Sequence, residues 1–233
     1  MRRRAPTGLT IEGKEVPLRI RRSDRARRML LRVESREAAV ILVLPRKASV
    51  REGLQFIEEK TDWIARRLDS LPPRVPFLPG AVVPLLGDDH VIAHDPDLRG
   101  GVRRDAGTIR VHGHEADVPT RVRVWLRREA RRELSDRARA KAAQLGRRLG
   151  RITVRDTRSR WGSCSSSGNL NFSWRLYMAP ETVADYVVAH EVAHLAEMNH
   201  GPRFWDLVSS LTDDVAGARH WLRQEGAVLH RYG

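Results

Sequence analysis

His190, Glu191 and His194 stand in the order His-Glu-x-x-His, and His200 follows after five intervening residues. On an α-helix, residues four apart share a face and lie about 6 Å apart along the axis. Two imidazoles at that spacing can close on one metal ion, and Glu191 can reach a water bound to it. The chemistry this predicts is metal-assisted hydrolysis, with Glu191 moving the proton.

Two residues compete for the third ligand position. Seven residues after His190, Glu197 would lie about 10.5 Å further along a continuing helix, beyond the reach of an ion held between His190 and His194. Gly201-Pro202 forbids simple continuation of the helix, and a left-handed Asn199 would turn the chain back and present His200. Three neutral imidazoles that leave a fourth position open form a catalytic zinc set. Zn2+ is favoured because no thiolate or carboxylate cage is evident.

The flanking residues predict the helix that must carry this set. Pro180 suits a first turn, and Thr182 to Ala196 contains neither Gly nor Pro. Val183, Val187, Val188, Val192 and Leu195 form an apolar stripe, while Tyr186, His190 and His194 share another face. Histidines turned away from the apolar stripe are not there to fill a core.

At 233 residues and 41% hydrophobic content, with 6 Trp, the chain can bury a substantial core. It has no apolar run of 18 residues, so no membrane span is expected. The basic start, Met1-Arg2-Arg3-Arg4, lacks the apolar stretch of a secretory signal. Cys164 is the single cysteine, which excludes an internal disulfide framework, and a cytoplasmic setting follows. Lys and Arg number 43 against 29 Asp and Glu, a net charge of +14, and such a surface attracts nucleic acid or nucleotides.

Along the chain, the pattern predicts an α+β protein with an antiparallel, β-rich N-terminal part and a catalytic part that carries the H-E-x-x-H helix, whether as two domains or one body. Residues 1–15 read as a basic, flexible lead, residues 16–113 as the β-rich part with one helix, and residues 114–233 as the hydrolase domain. Val16–Arg22, Met29–Glu34 and Ala39–Leu44 read as an antiparallel meander. Ser49 with Glu52 forms a capping box that opens a helix to about Asp69, and Leu71–Pro76 reads as a rigid connection. Short strands then resume, and the neighbouring His112 and His114 read as solvated loop histidines.

A long helix is expected from Pro119 to Leu149, with a narrow stripe through Val122, Leu126, Ala130, Leu134, Ala138, Ala142, Leu145 and Leu149. Its arginines, from Arg121 to Arg148, make it the first choice for a polyanion-binding face. Arg151–Asp156 reads as a strand, and Arg158–Ser165 with Asn169–Tyr177 as a hairpin. Within the hairpin, Cys164 reads as a small packed residue. A strand beside a metal site can also bind an extended peptide by edge pairing. His220 and His230 read as surface residues.

Together the segments Arg160-Trp161-Gly162-Ser163-Cys164, Trp174-Arg175-Leu176, Tyr186 to Leu195 and Asn199 to Trp205 resemble the YgjP-like zinc metallopeptidase family, related to SprT-like and Wss-type proteases. The resemblance covers most of the chain from about residue 16. It implies a zincin-like catalytic domain with His190, His194 and His200 as zinc ligands, Glu191 as general base and a polypeptide substrate. The third histidine also has metzincin spacing, but Glu197 stands where metzincins carry Gly, and no Met-turn can be assigned. Tyr186, Tyr177 and Arg175 are weak candidates for the oxyanion partner. Two other readings stand beside this one. The same activated water could hydrolyse a nucleoside triphosphate, or the zinc could be structural in a DNA-binding module. The oligomeric state is not legible.

Overall fold

Glu12 and Gly13 both adopt positive φ, 49° and 77°, the backbone that a two-residue hairpin turn needs to match strand twist. They join β1 (Gly8–Ile11) to β2 (Lys14–Ser23) antiparallel. A computed structural model describes residues 6–34, 37–71, 73–97, 99–157 and 159–233. In it, the part of the expected lead from Gly8 is sheet, because Leu9, Thr10 and Ile11 pair with Val16, Glu15 and Lys14. The first five residues of that lead, with Pro72 and Arg158, lie outside the described residues.

The N-terminal strands do not form a meander. β2 pairs parallel with β4 (Ala39–Pro45), and β3 (Leu30–Glu34) pairs antiparallel with β4, in the order β1-β2-β4-β3. β4 is the apolar run Ala39–Leu44, and its Val40, Leu42 and Leu44 are fully buried. A strand so apolar is stable in the middle of a sheet rather than at its edge. The Ser49–Glu52 capping box is present and opens α1 (Val50–Glu58). The expected single helix is broken at Lys60, and α2 (Thr61–Asp69) follows. Gly53 lets α1 approach β4, since a Cβ there would stand 2.7 Å from the side chains of Leu42 and Leu44.

The chain divides into two compact units at Arg74–Val75. Val75 belongs to the second, where its N–H donates to Arg231 O at 3.0 Å. There β5 (Val82–Leu85), β6 (Asp88–His94), β7 (Val102–Asp105) and β8 (Thr108–Val111) repeat the first sheet's pattern in the order β5-β6-β8-β7. Their Val83, Leu85, Ile92, Ile109 and Val111 share one core with the helices that follow. These strands therefore sit with the C-terminal helices, which places the division ahead of the expected boundary near residue 113.

The long helix is α3 (Val118–Gln144), which stops short of the expected Leu149. The stripe is buried from Val122 to Ala142, joined by Trp125, while Leu145 and Leu149 are partly buried beyond the helix. β9 (Ile152–Arg155), β10 (Gly162–Cys164) and β11 (Leu170–Ser173) form a third sheet in the order β10-β11-β9. A 3-10 turn over Trp174–Met178 leads into α4 (Glu181–Ala193), followed by α5 (Pro202–Leu211) and α6 (Val215–Gln224). α4 is buried nearly all round rather than along one stripe, because α3, α5, α6 and β10 all pack on it. Among the described residues, no helix is long and apolar enough to cross a membrane.

The basic face of α3 is largely taken up by acids. Arg121 pairs with Asp117, Arg132 with Glu129, and Arg137 with Glu133, Glu181 and Asp185. Lys141 is buried, donates to Asp185 at 2.9 Å and also donates to the carbonyl of Leu211. These last two cations tie α3 to α4 rather than facing a polyanion. Lys141→Met should therefore destabilise the protein by about 2–3 kcal/mol, because a buried acceptor loses its donor. The exposed pair Arg139–Asp136 is a control, and Arg139→Ala should cost less than about 0.5 kcal/mol. Equal losses in urea unfolding of the two variants would show that Lys141 ties nothing together.

Candidate metal centre

α4 ends where its second histidine begins. His194 is the C-cap residue, with φ −63° and ψ −15°, so the helix stops short of the expected Ala196. The chain then tightens into a turn in which the amides of Ala196 and Glu197 both donate to Ala193 O. The turn has a direct use. The backbone carbonyl of Glu197 lies 3.0 Å from His194 Nδ1. A proton held at Nδ1 leaves the Nε2 lone pair free to bind a metal. Glu197 thus serves the site through its main chain, and its carboxylate is not among the grouped ligand atoms.

His200 returns to the helix as expected, but by another backbone route. Asn199 is not among the residues with positive φ, and Gly201 has an ordinary φ of −79°. Gly201 instead caps α5, which opens at Pro202. The ligand atoms of His190, His194 and His200 all lie within 4.8 Å of one another, and they form the one such group of metal-binding residues among those described. Nε2 of His190 and Nε2 of His200 are 3.2 Å apart. Two nitrogens bound to one tetrahedral zinc at ~2.05 Å would be about 3.3 Å apart. The donor set and its spacing fit such an ion.

Phe204, fully buried on α5, seats the three rings. Its centroid lies 4.9 Å from His190, 4.6 Å from His194 and 4.6 Å from His200. Trp205 stands 6.0 Å from both His190 and His200 and carries the guanidinium of Arg219 on its face. Sequence reasoning gave Phe204 no such role, although its place two residues after Pro202 put it on the inner side of α5. Burial, together with the positive neighbours His194, His200 and Arg219, pushes His190 down to about 4. His194 is lowered chiefly by burial. Both rings are therefore neutral near pH 7, the form that binds metal. Nδ1 of His190 is buried with no hydrogen-bond partner.

Glu191 faces β10. Its side chain is 6% exposed, and burial pushes its carboxyl up to about 7, opposed by the charge of Arg160 and a hydrogen bond from the Cys164 backbone. Gly162 makes room for it, since a Cβ built there would stand 2.5 Å from Glu191 Cγ and 2.6 Å from Oε1. The unusual Arg160–Cys164 stretch is thus the wall against which Glu191 is held. The Cys164 thiol is half-buried and packed against the core. It is pushed up to about 11 by burial and by Glu191, so it is neither a ready nucleophile nor part of the ligand group.

Of the weak candidates for an oxyanion partner, Tyr186 adjoins the histidines and Arg175 and Tyr177 are engaged by other partners. Arg175 is fully buried and donates to Asp156, Leu229 O and Tyr232 O, clamping the C-terminal segment. Tyr177 is buried and hydrogen-bonded to Arg104. Tyr186 packs edge-on against His190 at 5.9 Å. His230 is not a free surface residue but stacks on Trp161 at 5.1 Å. His112 contacts Pro96 O at 3.1 Å and belongs to no metal group.

If the three imidazoles act as one chelate, Zn2+ at a thousandfold excess over its Kd should stabilise the fold by about 4 kcal/mol. His190→Ala, His194→Ala and His200→Ala should each abolish most of that gain in calorimetry. A full thermal shift in all three variants would place the ion elsewhere.

No curated protein and no solved structure matches the chain. A family model does, the YgjP-like metallopeptidase domain, over residues 27–225. That span contains the histidine group, its glutamate and the strand that holds the glutamate, and the chain belongs to the YgjP-like metallopeptidase family.

Proposed function

We propose that this chain is a zinc-dependent peptidase in which His190, His194 and His200 hold the ion and Glu191 is the general base. The observation that carries this reading is the joint placement of three imidazoles, whose ligand atoms lie within 4.8 Å of one another, and one buried carboxyl group next to the first of them in sequence. A structural zinc site has no use for such a carboxyl group, which would be costly to keep there uncharged or charged. A cytoplasmic setting is part of the same reading.

A bound Zn2+ supplies Lewis acidity, which activates water and polarises the scissile carbonyl. The chain's own residues then move the proton. Glu191 accepts it from the attacking water as the new C–O bond forms, and returns it to the leaving nitrogen as the C–N bond breaks. A carboxyl group near 7 suits both steps, because it can gain and lose a proton around neutral pH. The backbone N–H of Cys164 and the missing side chain at Gly162 fix where that carboxyl group points. Nucleoside triphosphate hydrolysis would use the same base, but no phosphate-cradling glycine loop adjoins the histidines.

The test is cleavage of unfolded casein by zinc-loaded protein. Glu191→Gln should keep its zinc and lose turnover by about 10²-fold or more, the scale of general-base catalysis. Full activity in that variant would sink the mechanism. Gly162→Ala should also keep zinc, yet lose about 10²-fold in kcat, because a displacement of about 1 Å at a reacting group has that effect. Loss of zinc from Gly162→Ala would mean that Gly162 supports the ligands and not the base.

A further inference from the structure

The outer face of the β10-β11-β9 sheet carries a cleft of about 700 Å³ that the reaction scheme does not use. Strand alternation gives the sheet two faces, although Leu170 and Cys164 also border the cleft. Leu170 and Phe172 turn into the core, whereas Thr153, Asn171 and Ser163, aligned in one row across the three strands, turn into the cleft. Arg151, Arg155 and Arg160 stand around that row. Among the described residues, no Asp or Glu and no aromatic side chain lines the cleft. The nearest acid in sequence, Asp156, is held by Arg175 at 3.0 Å and by Arg127 at 4.0 Å. Thr153 donates to Oδ1 of Asn171 at 3.0 Å, which leaves the Asn171 amide N–H groups as donors. The cleft thus offers guanidinium, hydroxyl and amide donors, with no carboxylate among the described residues of its lining.

Its position connects it to the reacting centre. β10 is the wall between them, with Gly162 against Glu191 and Ser163 facing the cleft. Arg160 lines the cleft and its charge is felt by Glu191. Gly162 and Ser163 are adjacent in β10, which is only three residues long, so a polypeptide reacting at Glu191 and passing the end of that strand would bring a nearby side chain to the cleft. Resting on the peptidase reading, we propose that this cleft is a specificity subsite that receives Asp and Glu side chains of the polypeptide substrate. Guanidinium groups match carboxylates in charge and fork geometry. Single-stranded nucleic acid is the poorer fit, because its binding relies on aromatic rings for base stacking, and Trp161, next to Arg160 in sequence, is stacked on His230.

The experiment measures binding in Glu191→Gln protein, where turnover is blocked, by fluorescence anisotropy. The probes are a labelled peptide rich in Asp and Glu, with both ends blocked, and its Asn and Gln counterpart. The acidic peptide should bind at least about tenfold more tightly, the scale of one charge-assisted hydrogen bond. Arg151→Gln with Arg155→Gln should remove that preference, and the matching lysine pair should retain part of it. Both arginines are exposed, so the fold should tolerate these changes. Blocked ends exclude a terminal carboxylate as the source of binding. Equal affinity for the two peptides, or an undiminished preference in the double variant, would overturn the subsite. So would an unlabelled single-stranded oligonucleotide whose binding, and not the peptide's, depends on the two arginines. Casein cleavage by the unmodified protein, run alongside, reports the peptidase reading independently of the cleft.

Discussion

A carboxyl group taken out of water is costly to ionise, and the C-terminal unit is arranged around keeping one in place. Glu191 sits 6% exposed on the inner side of α4, and burial moves it toward 7. Without the Cys164 N–H and the charge of Arg160, desolvation would push it higher still. The two groups come from one stretch, Arg160 just before β10 and Cys164 at its end, so β10 must lie directly against α4, and that approach is possible because residue 162 has no side chain. β10 is in turn held by β11 through Gly162↔Phe172 and Cys164↔Leu170 pairing. Leu170 and Phe172 anchor β11 in the core. From β11 the chain passes through a single 3-10 turn into α4. The elements that hold the glutamate and the helix that carries it are therefore neighbours in sequence, and their relative position is short-wired.

The strongly basic composition has a similar physical reading once its partners are located. A run of arginines on a long helix invites a polyanion, yet Arg121, Arg127, Arg128, Arg132, Arg137 and Arg139, six of the eight on α3, pair with acids. Exposed pairs of that kind contribute little energy each, but they remove free positive charge from that face. Arg175 is spent on carbonyls of the C-terminal segment. Arg151, Arg155 and Arg160 differ because the described residues that line the cleft beside them offer hydroxyls and amides but no carboxylates. Net charge alone does not say where a basic protein meets an anion, because the distribution of acids decides it.

What could be read from the residues follows the range of the interactions involved. The His190–His194 pair, the Ser49 cap and the buried stripe of α3 depend on contacts within one or two turns, and all three have their expected form. The grouping of His200 with them followed from chain stops alone, although the turn is built from Glu197 and Gly201 and not from a left-handed Asn199. The parallel pairing of β2 with β4 was illegible, because strand order depends on contacts between distant segments and the apolar pattern of β4 is compatible with either direction. The role of Gly162 was illegible for another reason. A glycine that yields space to a side chain 29 positions later leaves no local trace beyond its odd company of Trp161 and Cys164.

The two four-stranded sheets show how one topology can be given different work. Both consist of a hairpin, a parallel pairing and an antiparallel edge, in the same order. Both hairpins turn through two residues of positive φ, Glu12–Gly13 and Leu86–Gly87. A left-handed leucine costs about 1–2 kcal/mol, so something must hold Leu86 there. Its N–H donates to Tyr177 O at 3.0 Å, and its side chain packs on the core. Gly87 meanwhile lies close to Pro180, with the position of a Cβ 3.8 Å from Pro180 Cα. The second sheet's turn is thus fastened to the segment that launches α4, so the strain at Leu86 is sustained by contacts that also fix the start of the histidine-bearing helix. Relaxing that turn would release the N-terminal end of α4, about 15 Å along the axis from His190, which makes a strained hairpin far from the metal centre part of what keeps the centre aligned.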